Sequence, residues 1–429
     1  MSTTPRALAL ELLLRCEAAG QYANITLDTA LSRERGMSPA DRSLLTALFY
    51  GVIERRITLD HAIDSLSSIA PSSIEPRVRM ILRMGLCQLA FFDRIPDHAA
   101  INETVELTPR RSKGFVNALL RGFCRNGKQI AYPDRAGDPT AYLSVRYSVP
   151  AELAEAFLSI YGLTRAEALL AAFAKTPDIT VRINTLRYTR EEWIAKYGGA
   201  PTKLAPFGVH LENGEQLAAL IEAGECFVQD EASQICVAAL DAGDGMRVLD
   251  LCAAPGSKSF GAALSGALEV CSFDLHENKT SLIKKGAARL GLANIKVGAA
   301  DARHADPAVL GLFDRVLADV PCSGYGVLAK KPDIRYKSFA AAAGLVPVQA
   351  AILERAADMV KPGGVLVYST CTLLPAENEE QVRGFLARHG EFELCPFFVG
   401  ELACEGWVTL APDTHGTDGF FVAKLHKKV

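Results

Sequence analysis

Two cysteines 49 positions apart, Cys322 and Cys371, each close a short segment that reads as the tip of a buried β-strand. The first follows Leu317-Ala318-Asp319-Val320-Pro321 and the second Val365-Leu366-Val367-Tyr368-Ser369-Thr370. A further strand, Arg247-Val248-Leu249-Asp250-Leu251, runs into the loop Cys252-Ala253-Ala254-Pro255-Gly256-Ser257-Lys258. In parallel α/β sheets the carboxyl ends of strands are where ligands bind and chemistry happens. Two thiols delivered there beside such a loop suit thiolate attack on an electrophilic ring, with a nucleoside cofactor as the second reactant. Asp319 and Cys322, side by side at a strand end, would be costly as packing alone, and a carboxylate so placed can donate a proton. Ser369, Thr370 and Thr372 give Cys371 a polar setting in which a thiolate could be stabilised.

These residues need a sheet to hold them. From about residue 226 the pattern alternates, with strands expected at 246–252, 269–274, 295–298, 313–319 and 364–370 and helices around 258–265, 278–290 and 348–360. That succession predicts an α/β, Rossmann-like domain over 226–429 with a mainly parallel, doubly wound sheet. A turn and a last strand near Phe420-Phe421-Val422 read as an antiparallel edge. Asp274 ends the second strand, 24 residues after Asp250, where an acid that holds ribose hydroxyls belongs. Asp301, just past the third strand, could orient an adenine amine. Helix capping and turn formation are the ordinary alternatives for these two acids. Residues 1–130 carry almost only helical periodicity broken by prolines, which predicts an all-α bundle. Residues 140–225 are mixed, with helices at 151–160, 163–174 and 190–197 and a strand at 179–183, and read as a small α+β module.

At 429 residues, 49% hydrophobic and 22% charged, the chain is long enough for two or three ordinary globular domains. No run approaches the roughly 18 uninterrupted apolar residues of a membrane span, and the start reads as an amphipathic helix, so a cytoplasmic protein without a membrane partner is expected. No two of the eleven cysteines are spaced Cys-x-x-Cys, so no metal site is expected, and Cys16, Cys87, Cys124, Cys236, Cys271 and Cys395 read as small buried hydrophobes. The net charge of −3 hides an asymmetry: residues 1–130 hold 17 Lys+Arg against 13 Asp+Glu. Within them, 108–128 carry Arg110, Arg111, Lys113, Arg121, Arg125 and Lys128 and no acid, which is either a phosphate-binding surface or a solvated helix face.

The chemistry that needs two thiols and a carboxylate is methylation at carbon 5 of a cytosine. That carbon is a poor nucleophile until a thiolate adds at carbon 6 while an acid assists at N3. A second group must then help remove the carbon-5 proton and release the enzyme. Asp250-Leu251-Cys252-Ala253-Ala254-Pro255-Gly256-Ser257-Lys258, Asp319-Val320-Pro321-Cys322-Ser323-Gly324 and Ser369-Thr370-Cys371-Thr372 resemble the motifs of the RNA cytosine-C5 methyltransferases, the RsmB/NSUN group. Residues 1–130 resemble the NusB-like RNA-binding domain fused to bacterial members, through Ile95-Pro96-Asp97-His98-Ala99-Ala100-Ile101-Asn102-Glu103 and Val116-Asn117-Ala118-Leu119-Leu120-Arg121 among others.

The resemblance implies an S-adenosylmethionine-dependent enzyme acting on RNA, most simply 16S (small-subunit) rRNA, and a monomer. Cys371 would be the nucleophile, Cys322 would assist release, and Asp319 would contact the cytosine edge and border the cofactor. Asp274 would hold the cofactor ribose and Asp301 the adenine, with Cys252, Ala253, Ala254, Pro255, Gly256, Ser257 and Lys258 lining the methionine end. Gln229 to Ser233 would help close the site. Arg110, Arg111, Lys113, Lys330, Lys331 and Arg335 would contact RNA. The family usually has Gly-Gly-Lys-Thr where this chain has Gly256-Ser257-Lys258-Ser259, which puts a Cβ near the cofactor. Competing readings are a tRNA cytosine-C5 methyltransferase, a DNA cytosine-C5 enzyme in which Cys322 attacks, and a non-catalytic NusB-like RNA-binding scaffold.

Overall fold

A computed structural model describes residues 4–19, 22–34 and 36–429, and the chain divides into two compact units. The first runs to Lys175 and takes in Leu328–Lys337; the second holds Thr176–Val327 and Ser338–Val429.

The first unit is helical. Prolines open the helices Pro39–Glu54, Pro76–Phe91 and Pro139–Tyr147, where a fixed φ and a missing N–H are harmless. Helix Pro76–Phe91 is buried on nearly every side, and its Ile81, Leu82 and Leu86 pack with Leu45, Leu48, Phe49, Leu120 and Phe123. Gly85 permits this: a Cβ there would lie 2.9 Å from the Leu120 methyls. Arg83, 5% exposed, is neutralised within the bundle by a two-pronged contact to Asp60 (2.8 Å each) and by Glu17 at 2.8 Å.

One boundary differs from the sequence reading. Helices Pro139–Tyr147 and Ala151–Phe173 join the helical unit instead of the α+β module, tied there by Thr58 Oγ1 donating to Val145 O (2.5 Å) and Ile57 N–H donating to Ser148 Oγ (2.9 Å). The stretch Ala151–Phe173 is two helices joined at Gly162, whose φ of 71° and ψ of 164° are not helical and are open to glycine, in keeping with the helices expected at 151–160 and 163–174. This stretch and Phe339–Asp358 are long and apolar enough to cross a membrane by length and composition alone.

The second unit holds a small sheet and a large one, and the large one carries the site. In the small one, β1 (Ile179–Ile183), β2 (Ala200–Pro201), β3 (Gly208–Leu211) and β4 (Cys226–Val228) pair antiparallel in the order β2-β3-β1-β4 around Trp193. The large one is built from β5 (Arg247–Asp250), β6 (Glu269–Asp274), β7 (Ile295–Ala299), β8 (Phe313–Asp319) and β9 (Val360–Thr370), all parallel. Short strands follow: β10 (Phe392–Leu394), the hairpin β11 (Phe397–Val399) and β12 (Leu402–Cys404), and β13 (Trp407–Leu410), before β14 (Phe420–Lys427). The order is β10-β14-β9-β8-β5-β6-β7, with β13 also on β14. The last strand is antiparallel as expected, but β10 and β13 cover its outer side, so it is not an edge.

Successive residues of the central strands point to opposite faces, and both faces are buried. Leu249, Val316, Ala318, Leu366 and Tyr368 pack on one side, Val248, Leu317, Val365 and Val367 on the other. A sheet covered by helices on both faces needs such unbroken apolar runs, and its polar residues are pushed to the strand ends.

Candidate active site

The ladder sets the site. In β8 and β9, Asp319 stands opposite Ser369, and in β9 and β14, Thr370 stands opposite Phe421. Past that point both chains turn. Val320 N–H still donates to Ser369 O (3.0 Å), and Gly326 N–H reaches back to Cys371 O (2.9 Å). Gly326 has no room for a side chain, because a Cβ would fall 1.9 Å from Gly419 O. The two cysteines meet with Sγ atoms 3.3 Å apart, and Cys371 N–H also points at Cys322 Sγ at 3.3 Å.

Cys322 is held well above the ordinary thiol range, first by its hydrogen bond with Cys371 and then by burial, with the negative field of Cys371 and Glu377 adding to both. A thiol so raised holds a proton that it can point at Cys371 sulfur. Cys252, the third cysteine of the motifs, is also pushed far up, by burial and then by Asp250, Asp319, Asp274 and Asp301, which makes it a poor nucleophile.

Asp319 has a donor on each oxygen. Ser369 Oγ donates to Oδ1 at 2.7 Å, and Lys258 Nζ sits 2.7 Å from Oδ2. Burial lowers the Lys258 pKa, but Asp319, Cys236 and Asp250 outweigh it, so Lys258 stays charged. Lys258, expected beside the methionine end of a cofactor, is thus tied to the carboxylate at the end of β8. The sequence showed no sign of this pair, since its members lie 61 residues apart.

The loop from Cys252 to Gly256 crosses the ends of β5 and β6. Ala253 N–H donates to Phe273 O (2.8 Å) and Ala254 N–H to Asp274 Oδ2 (3.3 Å). Gly256 caps helix Ser257–Leu264 with φ +116°, a conformation side chains resist, and a Cβ there would strike the Phe260 ring at 2.4 Å. Under the loop Asp250 is fully buried; burial first, then the field of Asp319, raises its pKa to about 7 against the hydrogen bond from Ser259 Oγ (2.7 Å). Asp274 accepts from Ala254 N–H and His276 N–H (3.0 Å), which leaves lone pairs for the two hydroxyls of a ribose. Asp301 is held well below the usual carboxylate range, chiefly by hydrogen bonds from Arg303, and is an anionic acceptor suited to an amine. Acids at the ends of β6 and after β7, with a close-approach loop between β5 and its helix, fit an adenosine cofactor.

The basic residues divide. Arg110 and Arg111 lie in the turn Arg110–Ser112 before helix Lys113–Arg125. Arg111 pairs with Glu75, Lys113 with Glu106 (3.0 Å) and Lys128 with Asp97 (2.6 Å), so acids from elsewhere in the bundle supply the counter-charges that 108–128 lacks. Arg110, Arg121 and Arg125 remain exposed with no acidic partner among the described residues. Lys330 and Lys331 are exposed. Arg335 is not: it is 4% exposed, and its guanidinium donates to the carbonyls of Glu54 (2.9 Å), Tyr147 (3.3 Å) and Leu328 (3.2 Å) inside the helical unit. Its expected RNA contact gives way to an internal clamp.

Sequence reasoning missed Glu377 as well. It follows Cys371 by six residues, just before the helix Glu379–Arg388, where an acid ordinarily reads as complementing the dipole.

A parallel sheet with β14 inserted antiparallel beside β9, and acids at the ends of β5, β6 and β8, define an S-adenosylmethionine-dependent methyltransferase domain. A family profile described as "16S rRNA methyltransferase RsmB/F" matches residues 237–426, and the NusB family matches 3–125. The "Probable ribosomal RNA small subunit methyltransferase B" of Bacillus subtilis is 36% identical over 99% of this chain and 99% of its own length. A protein of the same name from Synechocystis is 34% identical, covering 98% and 99%. A solved methyltransferase homologue from Pyrococcus horikoshii is 27% identical with a TM-score of 0.57, covering 66% of this chain and 97% of its own. The chain belongs to the RsmB/F family of RNA methyltransferases, with S-adenosylmethionine as its cofactor.

Proposed function

We propose that this enzyme methylates carbon 5 of one cytosine in small-subunit ribosomal RNA, through a covalent bond between Cys371 Sγ and carbon 6 of the ring. The 3.3 Å approach of Cys322 and Cys371 carries this reading, because it offers one sulfur to attack and another within reach of the same ring. When bound, S-adenosylmethionine supplies an electrophilic methyl group. Asp274 would hold its ribose, Asp301 its adenine, and the backbone from Cys252 to Ser257 its methionine end.

The cytosine must be unpaired or flipped out to reach the strand ends. The Cys371 thiolate adds to carbon 6, Asp319 relays to N3 the proton it shares with Lys258, and carbon 5 becomes nucleophilic. Once Cys371 is bonded to carbon its negative field is gone. The hydrogen bond with Cys371, the largest cause of the raised Cys322 pKa, weakens with it, so Cys322 can give its proton to water and take the one on carbon 5. Re-formation of the ring double bond then expels Cys371 as thiolate, and N3 gives up its proton. Arg110, Arg111, Lys113, Lys330 and Lys331, with the exposed Arg121 and Arg125 of the same stretch, would contact RNA phosphates. The relatives named for small-subunit rRNA support that substrate over tRNA, and a cytoplasmic monomer suits the work.

Transfer of labelled methyl to protein-free small-subunit rRNA lacking the modification, followed by bisulfite mapping, tests the proposal. A single methylated cytosine is expected. Transfer to tRNA but not to rRNA would overturn the substrate, and activity in Cys371→Ala would overturn the mechanism.

A further inference from the structure

Behind the two thiols lies a carboxylate that this chemistry does not use. Glu377 is 1% exposed, in the turn Pro375–Glu377. One oxygen accepts from Ser323 Oγ at 2.6 Å; the other accepts from Ser323 N–H at 2.9 Å and from Gln349 Nε2 at 2.7 Å. Gln349 Nε2 also donates to Pro321 O at 3.0 Å, and Tyr368 OH donates to the Glu377 carbonyl at 2.6 Å. Pro321 and Ser323 are the residues on either side of Cys322. The Ser323 hydroxyl lies 2.7 Å from Thr372 Oγ1, on the residue that follows Cys371. One buried carboxylate is thereby bonded to Ser323, is joined through Gln349 to Pro321, and reaches the flank of Cys371 through a single hydroxyl.

Three neutral donors converge on it, and burying an anion among neutral groups costs several kcal/mol. A carboxylate can accept all three. An amide in its place can keep Ser323 N–H and Gln349 N–H on its one oxygen only by turning its NH2 to the Ser323 hydroxyl, which must then accept instead of donate. Next door, Asn378 does the same for β9: Thr370 Oγ1 donates to its Oδ1 at 2.5 Å, and its Nδ2 donates to Thr372 O at 3.0 Å.

We propose that Glu377 is the positioning residue that sets Cys322 against Cys371 and so governs the release step of the two-thiol cycle. This inference rests on the reading of Cys371 as nucleophile and Cys322 as the releasing group. Glu377 touches neither the reacting ring nor the cofactor; it acts through the loop 321–323.

The test compares full-length wild type, Glu377→Gln and Cys322→Ala with protein-free small-subunit rRNA and S-adenosylmethionine. Adduct on denaturing gels, kcat and KM are read, and cofactor binding reports folding. Cys322→Ala should trap a covalent protein–RNA adduct. Glu377→Gln should trap it too, with kcat down roughly 10- to 100-fold, as misplacing a group by about an ångström costs. KM for RNA and cofactor affinity should stay within about twofold, since binding groups are untouched. A wild-type adduct level and kcat in Glu377→Gln that binds cofactor would overturn the proposal. If Glu377→Gln fails to bind cofactor, Ser323→Ala decides: it removes the link to Thr372 without stranding a charge, and should raise the adduct several-fold, whereas a wild-type level overturns the proposal. A Cys322→Ala enzyme that traps nothing removes the two-thiol reading itself, and this inference with it, a failure visible without any Glu377 variant.

Discussion

The ends of β8 and β9 and the basic stretch 108–128 both concentrate polar groups, and they do so by opposite means. At the strand ends, residues about 50 positions apart are brought within hydrogen-bond reach by ladders that cannot slip without turning every side chain to the wrong face. In the basic stretch the cations are neighbours in sequence, yet the bundle scatters them: Arg111, Lys113 and Lys128 find acids on other segments, while Arg110, Arg121 and Arg125 stay in water. A site made by register should respond to single changes sharply. A surface made by exposure should respond in small, additive steps.

The sharpest break should come from Cys371→Ala, with methyl transfer down at least ~10⁴-fold, as expected when a covalent nucleophile is lost, while cofactor binding persists in a direct binding assay. Lys258→Met should come next. It strands Asp319 in a mostly buried setting, so thermal unfolding should report a loss of about 3 kcal/mol together with reduced activity. Its double variant with Asp319→Asn should recover most of the stability and none of the activity.

Asp250 gives a smaller effect with a definite sign. Its folded pKa, about 7, lies above the ordinary 3.8, so it favours the fold below pH 4 and that contribution is lost as pH rises through 7. Asp250→Asn should therefore raise Tm at pH 8 and change it little at pH 4. The gentlest prediction concerns the other region. Replacing Arg110, Arg121 and Arg125 together with Gln should weaken RNA binding and lower the log–log salt slope by about 2, at roughly 0.7 per phosphate contact on single strands. The same change at Arg111 and Lys113, already paired, should lower it less per residue; equal effects per residue would erase the distinction drawn from their partners.

Much of this was legible in the chain. Strands β6 and β8 fall where apolar runs end in acids, because a strand buried on both faces has no polar residue until it leaves the sheet. The two cysteines and Asp319 were legible as a set for the same reason. Their mutual geometry was not, since it depends on the pairing of Asp319 with Ser369. Strands β10 to β13, three or four residues each, are too short for alternation to register. Arg335 misled because Lys330-Lys331-Pro332-Asp333-Ile334-Arg335 looks uniformly exposed, and only the three carbonyls around the guanidinium reveal a buried clamp. Glu377 was invisible because its partners come from three other segments.

The segment Leu328–Lys337 belongs to the helical unit although about 150 residues of the other unit precede it in the chain. Its Tyr336 hydroxyl donates to Ile53 O at 2.7 Å, and Arg56 stacks on its ring at 3.7 Å. During synthesis the first helices emerge from the ribosome long before this piece exists. The helical unit must wait for residue 337 to be translated before its last carbonyls are capped, so its folding cannot finish in strict N-to-C order, and a gene split near residue 175 would yield a fragment lacking part of its own interior.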